Sequence, residues 1–352
     1  MIDSSGFSRT LLAWYRENGR ELPWRGSRDP YIVWVSEIIL QQTRVSQGWD
    51  YFIRFTERFP DVAALAGAAE DEVLRYWQGL GYYSRARNMH RAAKDIVEKF
   101  GGVFPANYRD VLSLKGIGEY TAAAICSFCL DLPCAVVDGN VYRVLSRVFG
   151  VDTPIDSTEG KRCFRELAGE LLDREHPGTY NQAIMDFGAL QCVPGVPECA
   201  SCPFQERCVA RLEGTVRQLP VKQGKTTVLT RYFHYLHVRC NGEILLHRRG
   251  AKDIWQNLYE FPLLETPEET APETLLAGEA FDRLFAGASG LTIRRISSPM
   301  KHQLSHRLLR VRFYEIEADT LPAGLNGFIR IPEAQTERYA LPRIITLYLE
   351  KR

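Results

Sequence analysis

Four cysteines, Cys192, Cys199, Cys202 and Cys208, fall within 17 residues at the spacing C-x6-C-x2-C-x5-C. Thiolates on so short a loop can wrap one compact ion or cluster, and soft sulfur selects iron–sulfur or zinc. Zinc sites usually use closely paired C-x2–4-C ligands on two turns. Only one close pair occurs here, so the spacing favours a [4Fe–4S] cluster. Cys126, Cys129, Cys134, Cys163 and Cys240 are scattered, which makes nine cysteines in 352 residues. Disulfide scaffolds are short and cysteine-dense. The pattern therefore predicts a cytoplasmic protein with one metal or cluster site.

Apolar residues at 45% and charged residues at 25% describe an ordinary globular chain. No apolar run approaches the roughly 18 residues that span a bilayer, and the stretch Ala122–Leu130 stops at Asp131. The N-terminal MIDSSGFSRT lacks the basic and apolar regions of a secretory signal. No membrane partner is expected. A net charge of +1 hides a local imbalance. Asp152–Glu206 holds ten acidic and four basic residues, whereas Arg207–Lys252 holds ten basic and two acidic. The basic segment suits an anionic partner, or else a solvated linker.

Residues 7–212 carry helical signals and almost no strand signals. Phe7, Leu11, Leu12, Trp14 and Tyr15 predict a helix over Phe7–Glu17, and Asp29-Pro30 opens another over Pro30–Gln47. Further helices are expected at 48–58, 70–77, 84–100, 107–113, 119–129, 139–148, 159–173 and 179–190. Residues 214–228 are polar and basic and read as a linker. Beyond it, Tyr232–Arg239 and Glu243–Arg248 alternate about Asn241-Gly242, a strong hairpin signal. Leu308–Ile316 and Gly327–Ile331 read as strands, Glu273–Phe285 and Pro342–Tyr348 as helices. The expected fold is multi-domain: an all-α part, then a smaller α/β domain.

Three further features carry chemistry. In Leu114–Ala122 (LKGIGEYTA), Gly116 and Gly118 precede a helix, where backbone N–H groups can approach an anion closely. The same glycines could form a tight interhelical turn. Glu37 sits in the apolar run WVSEIILQQT, a setting that raises a carboxyl pKa as a general acid requires. Glu37, Gln41 and Arg44 also share a helical stripe that could face solvent. Asp138 in VVDGNV could be a second catalytic carboxylate, an N-cap, or both. Gly79–Asn88 (GLGYYSRARN) brackets aromatics suited to insertion beside a phosphate contact, or to a core.

Taken with LPWR at Leu22–Arg25, SEIILQQTRV at Ser36–Val45 and VVDGNVYRVLSR at Val136–Arg147, these segments resemble the adenine DNA glycosylase family, MutY, of the endonuclease III superfamily. The resemblance implies an all-α helix-hairpin-helix glycosylase over 1–213, with a six-helix-barrel lobe at about 27–134 and a cluster lobe from 1–26 plus 135–213. A linker at 214–229 and an α/β Nudix-like domain at 230–352 would follow. It implies a monomer that flips out and excises adenine mispaired with 8-oxoguanine or guanine in double-stranded DNA. Its place would be the cytoplasm, at the nucleoid in a bacterium. Glu37 matches the general acid and Asp138 the carboxylate that stabilises the oxocarbenium-like sugar. Asn140 matches its hydrogen-bonding neighbour. Tyr120 stands where bifunctional relatives carry the Schiff-base Lys, so strand cleavage should be weak or absent.

Arg20, Leu22, Trp24, Arg25 and Gln182 match the adenine pocket. Gln42 and Tyr82 match the wedge that fills the stack, with Thr43 and Leu80 beside them and Gly116 and Gly118 at the DNA backbone. The four cysteines match the [4Fe–4S] ligands, and Arg207, Arg211 and Arg217 would present positive charge to phosphate. In the Nudix-like part the metal-holding box is missing, which implies binding without hydrolysis. The family's Phe-Ser-His reader of 8-oxoguanine matches Leu304-Ser305-His306. Lys301, Arg307, Arg310 and Arg312 would hold phosphates. Two rivals remain: an endonuclease III-like lyase acting on oxidised pyrimidines, and a non-catalytic iron–sulfur DNA-binding protein.

Overall fold

The computed structural model describes residues 4–224, 227–321 and 323–352; the N-terminal three residues and linker positions 225 and 226 lie outside the described residues. Among the described residues up to Leu212 every regular element is a helix: Ser4–Asn18, Pro30–Leu40, Val45–Arg58, Val62–Gly67, Glu70–Tyr76, Ser84–Phe100, Tyr108–Ser113, Glu119–Leu130, Gly139–Phe149, Thr158–Leu171, Pro177–Leu190 and Val209–Leu212. Local chemistry starts several of them. Asp29, Asn107, Asp138 and Ser157 each accept a backbone N–H of the first turn that follows. The helix expected over Pro30–Gln47 ends instead at Leu40. Gln42 adopts φ 58, a left-handed conformation that breaks the hydrogen-bond ladder, and the chain restarts at Val45.

The chain divides into two compact units, Met1–Gly67 with Asn88–Gly224, and Ala68–Arg87 with Lys225–Arg352. The first unit is built on a core of Phe7, Leu11, Val144, Phe164, Tyr180 and Phe187. Phe204, from inside the cysteine loop, stacks on Phe7 at 4.9 Å and meets Phe187 edge-on at 5.2 Å. The loop is thus anchored by hydrophobic burial. Much of the expected linker is docked on this unit. Arg147 donates to the Leu219 carbonyl at 3.1 Å, Ile155 N–H to Val221 at 3.0 Å, and Asp156 accepts from Gln223 and Gly224 N–H groups.

The second unit is a mixed sheet of β1 (Leu229–Cys240), β2 (Glu243–Arg248), β3 (Tyr259–Glu260), β4 (Leu263–Thr266), β5 (Thr292–Ile296), β6 (Met300–Gln303), β7 (Arg307–Glu317) and β8 (Ile329–Pro332). The main order is β3-β2-β1-β7-β5, with β4 on β1, β6 on β7 and β8 on β2. β1 and β7 run parallel at the centre. Asn241 (φ 52) and Gly242 (φ 77) are both left-handed, as a two-residue hairpin turn matching strand twist requires. The helix expected over Glu273–Phe285 is two, Pro272–Leu276 and Glu279–Phe285, whose Leu275, Phe281 and Phe285 join a core with Leu236, Tyr314 and Ile316. Ala68–Arg87 groups here through polar contacts: Arg248 and the Tyr259 hydroxyl on Asp71 at 3.0 and 2.8 Å, and Arg87 on the Gln256 carbonyl at 2.8 Å.

The basic excess of Arg207–Lys252 is partly consumed inside the fold. Arg231 pairs with Asp253 and Glu265, Arg239 with Glu333, Arg248 with Glu70 and Asp71, and Arg249 with Glu260. Arg207, Arg211, Arg217 and Lys222 remain exposed. Among the described residues no helix is long and apolar enough to cross a membrane.

Candidate active site

Helix Pro30–Leu40 is apolar on nearly every side, and its residues Val33–Ile39 are all buried. Glu37 goes inward with them and is 7% exposed, which excludes a solvent-facing stripe. Its Oε2 accepts a 2.6 Å hydrogen bond from the Tyr120 hydroxyl, in the first turn of helix Glu119–Leu130. Burial pushes the Glu37 carboxyl up from 4.5 to about 6; the Tyr120 bond and the Arg25 charge oppose this, and Asp138 adds to it. A buried acid with one donor and a pKa near neutrality can carry a proton to a base.

Asp138 is both cap and candidate catalytic group. Oδ1 accepts from the Asn140 and Val141 N–H groups at 2.9 and 2.8 Å, and Oδ2 from Asn140 Nδ2 at 2.8 Å. Burial raises its pKa, while those hydrogen bonds and the Arg143 charge hold it down. Arg143 is buried and donates to Asn140 Oδ1 at 2.8 Å, to the Gly188 carbonyl at 2.6 Å and to the Cys192 carbonyl at 2.7 Å. One guanidinium therefore joins the carboxylate's support to the start of the cysteine loop.

Asp186 organises a second cluster in the same unit. It is fully buried and binds Arg20 at 2.5 Å and Arg25 at 2.8 Å. Arg25 also donates to the Tyr15 hydroxyl at 2.7 Å and to Gln182 Oε1 at 3.3 Å, and Tyr15 donates to the same Oε1 at 3.1 Å. Because arginine can only donate, the Gln182 amide is oriented by chemistry: its oxygen is engaged and its NH2 is the group left to offer. Trp24 is buried edge-on against Phe52 at 5.1 Å, and Leu22 is half-buried.

Between helices Tyr108–Ser113 and Glu119–Leu130, Ile117 is buried while Gly116 and Gly118 are exposed. Gly116 has φ +81, and a Cβ there would come within 2.6 Å of Asn88 Cβ, so both sterics and backbone demand glycine. Gln42 and Thr43 form the turn after the Glu37 helix. In the other unit Tyr82 is 46% exposed with φ 46, another left-handed non-glycine, and its hydroxyl is hydrogen-bonded to Ser305. Leu304, Ser305 and His306 form the tip joining β6 to β7, with Leu304 half-buried and the other two exposed. Leu80 is 7% exposed and belongs to the interior.

Cys192, Cys199, Cys202 and Cys208 line one small cavity. Arg147 approaches Cys192 Sγ at 3.5 Å, the Phe204 N–H bonds the Cys202 sulfur, and the Ala210 and Arg211 N–H groups bond that of Cys208. Among the described residues, no three His, Cys, Asp or Glu side chains are grouped to hold a single metal ion.

Residues 35–169 match the HhH-GPD superfamily base excision DNA repair proteins, and 234–351 a NUDIX domain. The adenine DNA glycosylase of Buchnera aphidicola subsp. Schizaphis graminum is 37% identical over 265 residues, 75% of this chain and 76% of that protein. The chain belongs to the adenine DNA glycosylase family. The human adenine DNA glycosylase is 40% identical over 228 residues, 62% of this chain and 42% of its own. A thermostable thymine-DNA glycosylase superposes with a TM-score of 0.56 at 27% identity, over 60% of this chain and 97% of that one. Endonuclease III in a non-covalent DNA complex shares the fold, with a TM-score of 0.52 at 19% identity, over 61% and 99% of the two chains.

Membership makes this glycosylase an enzyme that hydrolyses N-glycosidic bonds in DNA. Its sequence does not by itself point to Asp186, Tyr15 or Arg143. Asp186 lies one helical turn beyond Gln182, and Arg143 one turn beyond Asn140, so the i+4 and i+3 spacings were the available signal. Replacing Asp186 by Ala would leave Arg20 and Arg25 facing each other without their counter-ion. A loss of about 3 kcal/mol is expected, as for breaking one side of a buried pair; denaturant titration reads it, and loss of only a few tenths would refute the role.

Proposed function

We propose that this glycosylase excises adenine mispaired with 8-oxoguanine or guanine, without strand cleavage. Glu37 protonates the extruded adenine at N7 and turns it into a leaving group. Asp138, ionised, faces the positive charge developing on the sugar. Tyr120 orients the Glu37 carboxyl by its hydrogen bond and cannot form a Schiff base with the abasic sugar. Gln182 offers its NH2 to a purine acceptor. The observation that carries this reading is the buried Glu37 carboxyl, with its pKa near 6 and its hydroxyl partner at 2.6 Å.

Cys192, Cys199, Cys202 and Cys208 would hold a [4Fe–4S] cluster. The donor set fits: thiols around one cavity, with N–H donors aimed at three of the sulfurs. When bound, the cluster would fasten the loop ends; glycosidic hydrolysis moves no electrons and needs none from it. Ser305 at the β6–β7 tip would accept the N7 proton that oxidation adds to guanine, and Tyr82, already on Ser305, would enter the stack beside it.

Single-turnover excision on 8-oxoguanine·A, G·A and thymine-glycol duplexes, run side by side with borohydride trapping, tests the reading. Adenine release from the first two without a trapped adduct is expected, and Ser305→Ala should narrow the preference for 8-oxoguanine·A over G·A. Thymine-glycol release with efficient trapping would instead identify an endonuclease III-like lyase.

A further inference from the structure

A pair of thiols shares its segments with Tyr120 and Asp138 and takes no part in the chemistry proposed above. Cys126 is fully buried in helix Glu119–Leu130, whose first turn carries Tyr120. Asp131 then turns left-handed (φ 51) and the chain folds back: Leu132 N–H donates to the Cys126 carbonyl at 3.1 Å, and Cys134 N–H to the Leu132 carbonyl at 2.7 Å. This brings the half-buried Cys134 beside Cys126, and the two thiols are hydrogen-bonded to each other. Four residues on from Cys134 the chain reaches Asp138. Asn181 pins that run, donating to the Cys134 carbonyl at 2.8 Å and accepting from Val136 N–H at 3.2 Å.

We propose that Cys126 and Cys134 are a reversible oxidation site, closed to a disulfide by peroxide, that slows base excision by displacing the segment leading to Asp138. The shared hydrogen bond makes Cys134 the more acidic thiol and Cys126 the less acidic one, which fits Cys134 as first nucleophile. Cys134 attacks hydrogen peroxide, giving a sulfenic acid and one water. The Cys126 thiol attacks that sulfur, the S–S bond forms and a second water leaves. Two thiols and one peroxide thus yield one disulfide and two waters, and a dithiol reductant reverses the step. A disulfide draws the sulfurs to about 2.05 Å, closer than any hydrogen-bonded thiol pair. The shift passes along the four-residue run to a carboxylate whose placement controls the reaction. The effect on rate rests on the role proposed for Asp138; formation of the bridge does not.

The test uses the full chain treated with hydrogen peroxide, then peptide mass analysis and single-turnover adenine release. A Cys126–Cys134 linked peptide is expected, with excision slowed on the order of tenfold, the scale of a small misplacement at a reacting centre, and restored by dithiothreitol. Cys134→Ser and Cys126→Ala should each keep the untreated rate and lose the peroxide response. No linked peptide in the wild type would overturn the site. A linked peptide with an unchanged rate, or equal slowing in Cys134→Ser, where the loop cysteines are intact, would overturn the control of excision.

Discussion

Replacing Glu37 by Gln is expected to slow adenine release about 10²–10⁴-fold while duplex binding survives and the folded enzyme becomes more stable at neutral pH. Gln keeps the volume and can still accept from the Tyr120 hydroxyl, now 2.6 Å from Glu37 Oε2, but it has no proton to give. Loss of a positioned general acid costs about 10²–10⁴ in rate, measured by single-turnover release from a mispaired duplex. The stability gain follows from the same burial. In the folded state the carboxyl titrates near 6 against an ordinary 4.5, so folding favours its protonated form. That preference is fully present below about pH 4.5 and is lost as pH rises through about 6. Above that the buried carboxylate costs about 2 kcal/mol. The variant should therefore melt higher than its parent at pH 7.5, and the difference should vanish by pH 4. The parent's excision rate should fall as pH climbs past about 6. A variant that excises normally would remove Glu37 from the mechanism.

What could be read from the sequence was what short-range chemistry dictates. The apolar run around Glu37 pointed to a buried carboxyl as one of two open readings, Asp138 to an N-cap as another, and Asn241-Gly242 to a hairpin. The structure has each of these. What stayed hidden depends on partners distant along the chain. Asp186 joins Arg20 across 166 positions, and its one local signal, a place one helical turn beyond Gln182, does not mark it as a counter-ion. The break after Leu40 rests on one left-handed residue, Gln42, whose side chain alone gives no turn signal. Counting charge along Arg207–Lys252 overstated its free positive surface, because Arg231, Arg239, Arg248 and Arg249 find acids elsewhere in the fold. Both proposed wedge residues, Gln42 and Tyr82, carry positive φ, a strain of the kind that collects at working surfaces.

Asp138→Asn separates the carboxylate's charge from its capping. Asn is as good an N-cap as Asp, and its oxygen can take the Asn140 and Val141 N–H groups now bound at 2.9 and 2.8 Å. Its NH2 must then face Asn140 Nδ2, the present 2.8 Å donor to Oδ2. Asn140 cannot turn over, because its oxygen accepts from Arg143 at 2.8 Å and arginine has nothing to offer an NH2. The variant should lose one hydrogen bond, about 1 kcal/mol, and excision by about 10²–10³, as when a group facing developing charge is removed. Adding Asn140→Asp restores a donor–acceptor match: the carboxylate introduced there would accept from both Arg143 and the NH2 of the substituted position 138, with net charge unchanged. Thermal melting of this double variant should return toward the parent, while single-turnover excision should stay at the level of Asp138→Asn. Recovery of excision in the double variant would mean that the hydrogen-bonded pair, not a negative charge at position 138, is what the reaction needs.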